Sequence, residues 1–129
     1  MFSSVFSEKV NDAMVNNRFE YSKDLRDGVI VFTLAGSLDI GTVSTMKTEL
    51  DAVLSSSQHK VLFDLYDLEQ IDSSGIGAFV ALFKRVRSNK GEVKISRLIG
   101  QPKEIFTLLR LDRVFEIHDD FEQALQSFL

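Results

Sequence analysis

The segment best suited to chemistry is Ile71-Asp72-Ser73-Ser74-Gly75-Ile76-Gly77, which follows one apolar run and opens another. A helix is expected to start at Asp72 or Ser73, and both residue types are good N-caps. Free N–H groups of a first helical turn and the positive end of its dipole favour an anion. A serine hydroxyl placed there is therefore a suitable phosphoacceptor. Phosphate would add about −1.5 to −2 charges at neutral pH, an effect felt mainly by a partner docked on that surface. The plainer reading of Ser73 is a helix cap and nothing more. Ser74 reads as structural, assisting the cap. Gly75 and Gly77 weaken the helix start, and their missing side chains let another backbone or surface come close. Ile76 and its neighbours are expected to form a small apolar rim around Ser73 for a partner.

Other groupings carry less. Asp64, Asp67, Glu69 and Asp72 invite Mg²⁺ or Ca²⁺, but EF-hand spacing is absent. The residues instead suggest solvated loop carboxylates, one helix cap and a partner-facing acidic patch. No metal site is expected. Gly75-Ile76-Gly77 is too short for a nucleotide loop and lacks the trailing Gly or Lys-Ser/Thr, so no cofactor is expected either. His59 and His118 have no serine-nucleophile elbow around them, and no enzymatic activity is assigned. Lys84, Arg85, Arg87 and Lys90 crowd one helix end, where cations offset the dipole. They read as a solvated end, not a nucleic-acid site.

The elements that must position Ser73 follow from hydrophobic periodicity. Phe2, Phe6, Val10, Ala13 and Met14 recur at helical spacing, so residues 1–17 read as an amphipathic extension. It would pack on its own domain or form a homodimer or partner contact. Strands are expected over Arg18–Leu25 and Val29–Leu34, joined by an Arg26-Asp27-Gly28 turn, with a break over residues 35–39. A helix over Thr42–Ser56 carries the stripe Val43, Met46, Leu50, Val53, Leu54. Lys60–Leu65 is a strand whose Val61-Leu62-Phe63 centre suits burial on both faces, followed by a short acidic loop. The helix from Asp72 or Ser73 to about Asn89 is apolar nearly all round, which suggests a central, buried position, with Gly91 as its stop. A strand over Glu92–Leu98, a helix with Pro102 in its first turn ending near Leu111, and a strand over Phe115–His118 come next. A last helix is capped by Asp120, with Gln123 completing a capping box and Phe121, Ala124, Leu125 and Phe128 buried. The order ββαβαβαβα implies an α/β fold with a mixed, mainly parallel sheet and helices packed on it.

A chain of 129 residues, 44% hydrophobic and 26% charged, suits one ordinary domain. Its net charge of −4 argues against nucleic acid, which needs a basic footprint. The absence of cysteine excludes disulfides and Cys-ligated zinc. With no export signal and no apolar run of spanning length, the protein is read as soluble and cytoplasmic, without a membrane partner.

Three segments in order resemble the STAS domain, the module of anti-sigma-factor antagonists and sulphate-transporter tails. Residues Val29 to Asp39 resemble its second strand and Gly-x-Leu-Asp turn. Ile71 to Gly77 resembles its Asp-Ser-Ser-Gly-Leu-Gly element, and Leu108 to Phe115 its Leu-x-x-x-Gly-Leu-x-x-x-Phe element, with Arg110 where glycine is frequent. The resemblance spans residues 18–129. It implies the STAS fold, Ser73 as phosphoacceptor, and Asp72, Gly75 and Asp39 beside it. It further implies a partner-switching role. The unphosphorylated protein would bind an anti-sigma factor that is also a serine kinase, and a metal-dependent serine phosphatase would reset the phosphorylated one. The alternative is a non-switching STAS subunit of a lipid-transport or stress-sensing assembly.

Overall fold

The structure, a computed structural model, describes residues 19–55 and 59–129. The amphipathic helix expected over residues 1–17 lies outside the described residues. The elements are β1 (Phe19–Arg26), β2 (Val29–Leu38), α1 (Val43–Ser55), β3 (Lys60–Ile71), α2 (Ser73–Ser88), β4 (Glu92–Ser96), α3 (Gly100–Leu108), a 3₁₀ turn (Leu111–Arg113), β5 (Glu116–His118) and α4 (Phe121–Gln126). This is the expected order. The strands form one sheet in the order β1-β2-β3-β4-β5. The β1–β2 pair is antiparallel and the other three pairs are parallel. Asp27 and Gly28, both at positive φ, make the tight β1–β2 turn.

Alternation along the strands divides the apolar residues between two faces. Ile30, Phe32, Leu34, Val61, Phe63 and Leu65 meet Met46, Leu50 and Val53 of α1, Ile76, Phe79, Leu82 and Val86 of α2, and Phe106 of α3. The Phe79 ring centroid lies 4.7 Å from that of Phe63 and 6.0 Å from that of Phe106, both edge-on, as ring quadrupoles favour. Val29, Val31 and Leu62 point the other way, against Ala124, Leu125 and Phe128 at the chain's end. Val61-Leu62-Phe63 is thus covered on both faces, as its composition requires. The helix α2 departs from expectation. Its Gly77, Ala81 and Lys84 are exposed, so it buries one face only.

The acidic loop expected after Leu65 is strand: β3 runs on to Ile71, and β2 runs on to Leu38 beside it. Register shifts between Thr33 and Ala35 and between Gly36 and Ser37 carry the pairing forward, with Gly36 at φ 90°. A bulge breaks the period of two, so the buried Leu68 and Ile71 do not alternate simply with their neighbours. Gly91 does not stop α2 through left-handed geometry. Lys90, at φ 62°, takes that role, while a Cβ on Gly91 would collide with the His59 carbonyl. Arg110, standing at the family's glycine position, has φ 61°. A side chain there costs about 1–2 kcal/mol. Arg110→Gly is therefore expected to raise the urea midpoint, by about 1 kcal/mol in unfolding free energy after the entropy cost of glycine.

Asp120 caps α4 by accepting from Gln123 N–H at 2.9 Å. The buried Lys94 of β4 ties that helix down, donating to Ser127 O at 2.9 Å and lying 4.5 Å from the Phe128 ring centroid. Lys94 also pairs with Glu116, which accepts a hydrogen bond from His118 at 2.7 Å. The His118 bond, then Lys94, hold the Glu116 carboxyl below its ordinary value of 4.5. A depressed carboxyl stabilises the fold above its unfolded pKa, and that stability is lost as pH falls through the folded value. Unfolding free energy is therefore expected to drop below pH 4.5, and Glu116→Gln should flatten part of that drop in urea titrations across the range. Solvent at this half-exposed carboxyl keeps the effect small.

Candidate functional site

Ser73 sits at the end of the sheet where β2 and β3 stop together, with Leu38 paired to Ile71. The N-cap of α2 is Asp72, in extended backbone. Its Oδ1 accepts from Ser74 N–H at 2.9 Å and Gly75 N–H at 3.1 Å. Its Oδ2 accepts from Ile40 N–H at 3.1 Å, which fastens the β2–α1 loop to the helix start. Ser73 is thereby relieved of capping. It is the first helical residue and is exposed, and its hydroxyl makes no hydrogen bond among the described residues. The expectation that the first-turn N–H groups are free for an anion needs correction, because Asp72 already occupies two of them. A phosphate on Ser73 would have to stand outward, beside that carboxylate.

Asp39 organises the loop on which Ile40 lies. Its Oδ1 accepts from Gly41 N–H at 2.9 Å, and its own N–H donates to Thr42 Oγ1 at 2.9 Å. Thr42 is buried, and its hydroxyl donates to Ser37 O at 2.8 Å. Asp39 and Asp72 thus share one end of the sheet, joined through Ile40. Ser74 is half-buried and contributes its backbone N–H. Gly75 is buried, and a Cβ there would lie 2.6 Å from Ile71 Cγ1 and 2.8 Å from Leu38 O. The close approach that its glycine permits is to its own chain, not to a partner. A Cβ on Gly77 would meet nothing within 4 Å.

The expected rim at Ile76 is also corrected. Ile76 is 8% exposed and belongs to the main core. One turn of helix carries it beneath Ser73, in line with Phe79. Ile40, on the β2–α1 loop at this end, is an exposed apolar side chain, at 77%. Two contributors have no marker in the sequence. One is Thr42. The other is Gln101 of α3, whose side-chain amide bonds both backbone groups of Ile71.

The four acids of the metal reading are put to separate uses. Asp64 is buried, and its carboxylate accepts from Ser96 Oγ at 3.0 Å and from Arg97 Nε and Nη2 at 2.9 and 2.6 Å. That fork raises the Arg97 pKa above its ordinary value, the Asp64 bond being the largest cause. Asp67 and Glu69 are exposed, and Asp72 caps α2. Among the described residues no three His, Cys, Asp or Glu side chains gather to hold a metal. Arg85 pairs with Asp51 at 3.3 Å, and Arg87 lies over Phe83, so part of the basic helix end is engaged within the chain. No helix among the described residues is long and apolar enough to cross a membrane.

Compared with known families, the chain matches the STAS domain over residues 20–124. The protein belongs to the STAS-domain family. A candidate anti-sigma factor antagonist, BtrV of Bordetella bronchiseptica, is 25% identical over 105 residues, covering 81% of this chain and 90% of that protein. The anti-sigma-B factor antagonist of Bacillus subtilis is 26% identical over 97 residues, covering 75% of this chain and 88% of its own. Among solved structures, an anti-sigma factor antagonist from Mycobacterium paratuberculosis superposes with a TM-score of 0.78 at 20% identity, covering 87% of this chain and 95% of that one. At that identity the match speaks for the fold. The relatives carry the names of binding antagonists, not of enzymes, and this STAS domain spans most of their length.

Proposed function

We propose that this STAS domain is a phosphorylation-controlled anti-sigma-factor antagonist whose switch is Ser73. Unphosphorylated, it binds an anti-sigma factor that is also a serine kinase. Phosphorylation of Ser73 releases it, and a metal-dependent serine phosphatase restores it. An ATP-using kinase places the exchange in the cytoplasm. The observation that carries this reading is the division of labour between neighbours: Asp72 does the capping, so the exposed Ser73 hydroxyl is held on a rigid helix with no structural task. The names of the relatives support the choice of partner.

The geometry supports a site of action for the phosphate at the partner contact. With Asp72 on the Ser74 and Gly75 N–H groups, the new charge has no ready place within the domain. It would stand beside the Asp72 carboxylate, which also holds the Ile40 loop, where a docked partner would be. Charge repulsion at a desolvated contact costs several kcal/mol, enough to separate a complex.

The test is capture of partners from the native lysate on wild type, Ser73→Ala and Ser73→Asp. Wild type and Ser73→Ala should hold the same kinase. Ser73→Asp, a partial mimic, should bind the purified kinase at least about tenfold more weakly, or ~1.4 kcal/mol. Equal retention by all three baits would refute the switch. Loss of assembly on deleting residues 1–17, with Ser73→Ala silent, would then mark a non-switching subunit.

A further inference from the structure

The β3 strand outruns its neighbour. Its pairing with β4 ends at Asp64 and Ser96, yet β3 continues to Ile71. Beyond Asp64 its β4-facing edge therefore has no strand beside it. At Ile71 that place is taken by Gln101. Its Oε1 accepts from Ile71 N–H at 2.9 Å, and its Nε2 donates to Ile71 O at 3.0 Å. One side-chain amide thus supplies a donor and an acceptor to the same residue, as a pairing strand would.

The opposite edge of the same turn is held by β2, where Asp72 N–H donates to Leu38 O at 3.2 Å. From below, the Ile71 side chain is buried and Gly75 packs close to it. The backbone two residues before Ser73 is thus fixed on three sides, and among the described residues Gln101 is the one side chain that hydrogen-bonds the Ile71 backbone. Gln101 is itself seated in the first turn of α3, between Gly100 at φ 65° and the buried Pro102.

We propose that Gln101 is a positioning residue for phosphorylation: its amide clamp on Ile71 sets where the Ser73 hydroxyl is presented to the kinase. This inference rests on the reading of Ser73 given above. Phosphoryl transfer requires the attacking oxygen in line with the phosphorus, and a misplacement of about 1 Å costs about 10²-fold in rate. Among the described residues the Gln101 side chain bonds only the Ile71 backbone, and the β2–α1 loop that carries Ile40 is held separately by Asp72. Loss of the clamp should therefore lower the rate of transfer and leave docking unchanged.

The experiment uses the full chain, γ-labelled ATP and the kinase captured on Ser73→Ala. Gln101→Ala should lower kcat for Ser73 phosphorylation at least tenfold while KM stays within about twofold. In the isolated protein, hydrogen exchange at the Ile71 amide should speed up at least tenfold, with the Phe63 amide unchanged. Gln101→Glu keeps an acceptor for Ile71 N–H but sets an oxygen against Ile71 O. It should show the same kcat loss, and serves if the alanine variant fails to fold. A kcat equal to wild type in a folded variant whose Ile71 amide exchanges freely overturns the positioning role and leaves the Ser73 reading intact. If wild type itself takes no label at Ser73, the Ser73 reading fails, and the positioning role with it.

Discussion

Replacing Gly75 with alanine should destabilise the domain by about 2–3 kcal/mol, whereas the same change two residues later should stabilise it. A Cβ on Gly75 would lie 2.6 Å from Ile71 Cγ1 and 2.8 Å from Leu38 O. The first neighbour is a buried side chain with little freedom. The second is a backbone oxygen that also accepts the Asp72 N–H. Either α2 moves outward or Leu38 moves back, and in both cases the bond that joins β2 to the helix start is lengthened. Overpacking of this kind costs about 1–3 kcal/mol and a lost hydrogen bond about 1 kcal/mol. Against them stands the helical preference for alanine over glycine, at most about 1 kcal/mol. At Gly77 only that last effect operates, because nothing lies within 4 Å of its Cβ position. Urea unfolding of both variants decides the matter. If Gly75→Ala proves as stable as wild type, the tight packing of the helix start on Ile71 is not real.

The same pair of glycines shows what the sequence could disclose. Both read as places of close approach, but only Gly75 is one, and what approaches it is its own chain. Periodicity could have separated them, since Gly75, Phe79, Leu82 and Val86 share the buried face of α2, while Gly77 precedes the exposed Ala81. That signal also places Ile76 inward. It was obscured because the half-buried Ala78 and Val80 and the exposed Ala81 leave the helix apolar well beyond that face. The strand at Val61-Leu62-Phe63 was plain, because burial on both faces leaves no polar alternation to interpret. The tail of β3 was not, because bulges opposite Thr33 to Ser37 shift the register and an acidic, exposed edge resembles a loop. Gln101 left no trace. Its bonds to Ile71 cross 30 positions, and a glutamine on a helix has no spacing that announces a distant backbone partner. Arg110 is the opposite case: it stands where glycine is frequent in the family, and this chain builds the left-handed residue there with arginine.

Asp72 offers the second large effect, and two substitutions separate its functions. Asp72→Ala removes the acceptor for Ser74 N–H and Gly75 N–H, the acceptor for Ile40 N–H, and a negative charge at the positive end of α2. Loss of an N-cap costs about 0.5–2 kcal/mol, loss of the charge about 0.3–1 kcal/mol, and the Ile40 bond about 1 kcal/mol. These terms share one carboxylate and do not add fully, so about 2–3 kcal/mol is expected. Asp72→Asn keeps an oxygen for the helix but turns an NH₂ toward the Ile40 N–H, which then has no acceptor. About half the loss should remain, carried by the loop and the charge. Urea unfolding should therefore rank wild type above asparagine and asparagine above alanine, and equal losses would show that capping contributes nothing. The functional order should differ from the stability order. Asp72→Asn retains the helix start that presents Ser73 but removes the carboxylate nearest the phosphate. It should be phosphorylated about as well as wild type, while Asp72→Ala, with a frayed first turn, should be phosphorylated more slowly. A labelled-phosphate time course on both variants, set beside their unfolding curves, separates the cap that holds Ser73 from the charge that surrounds it.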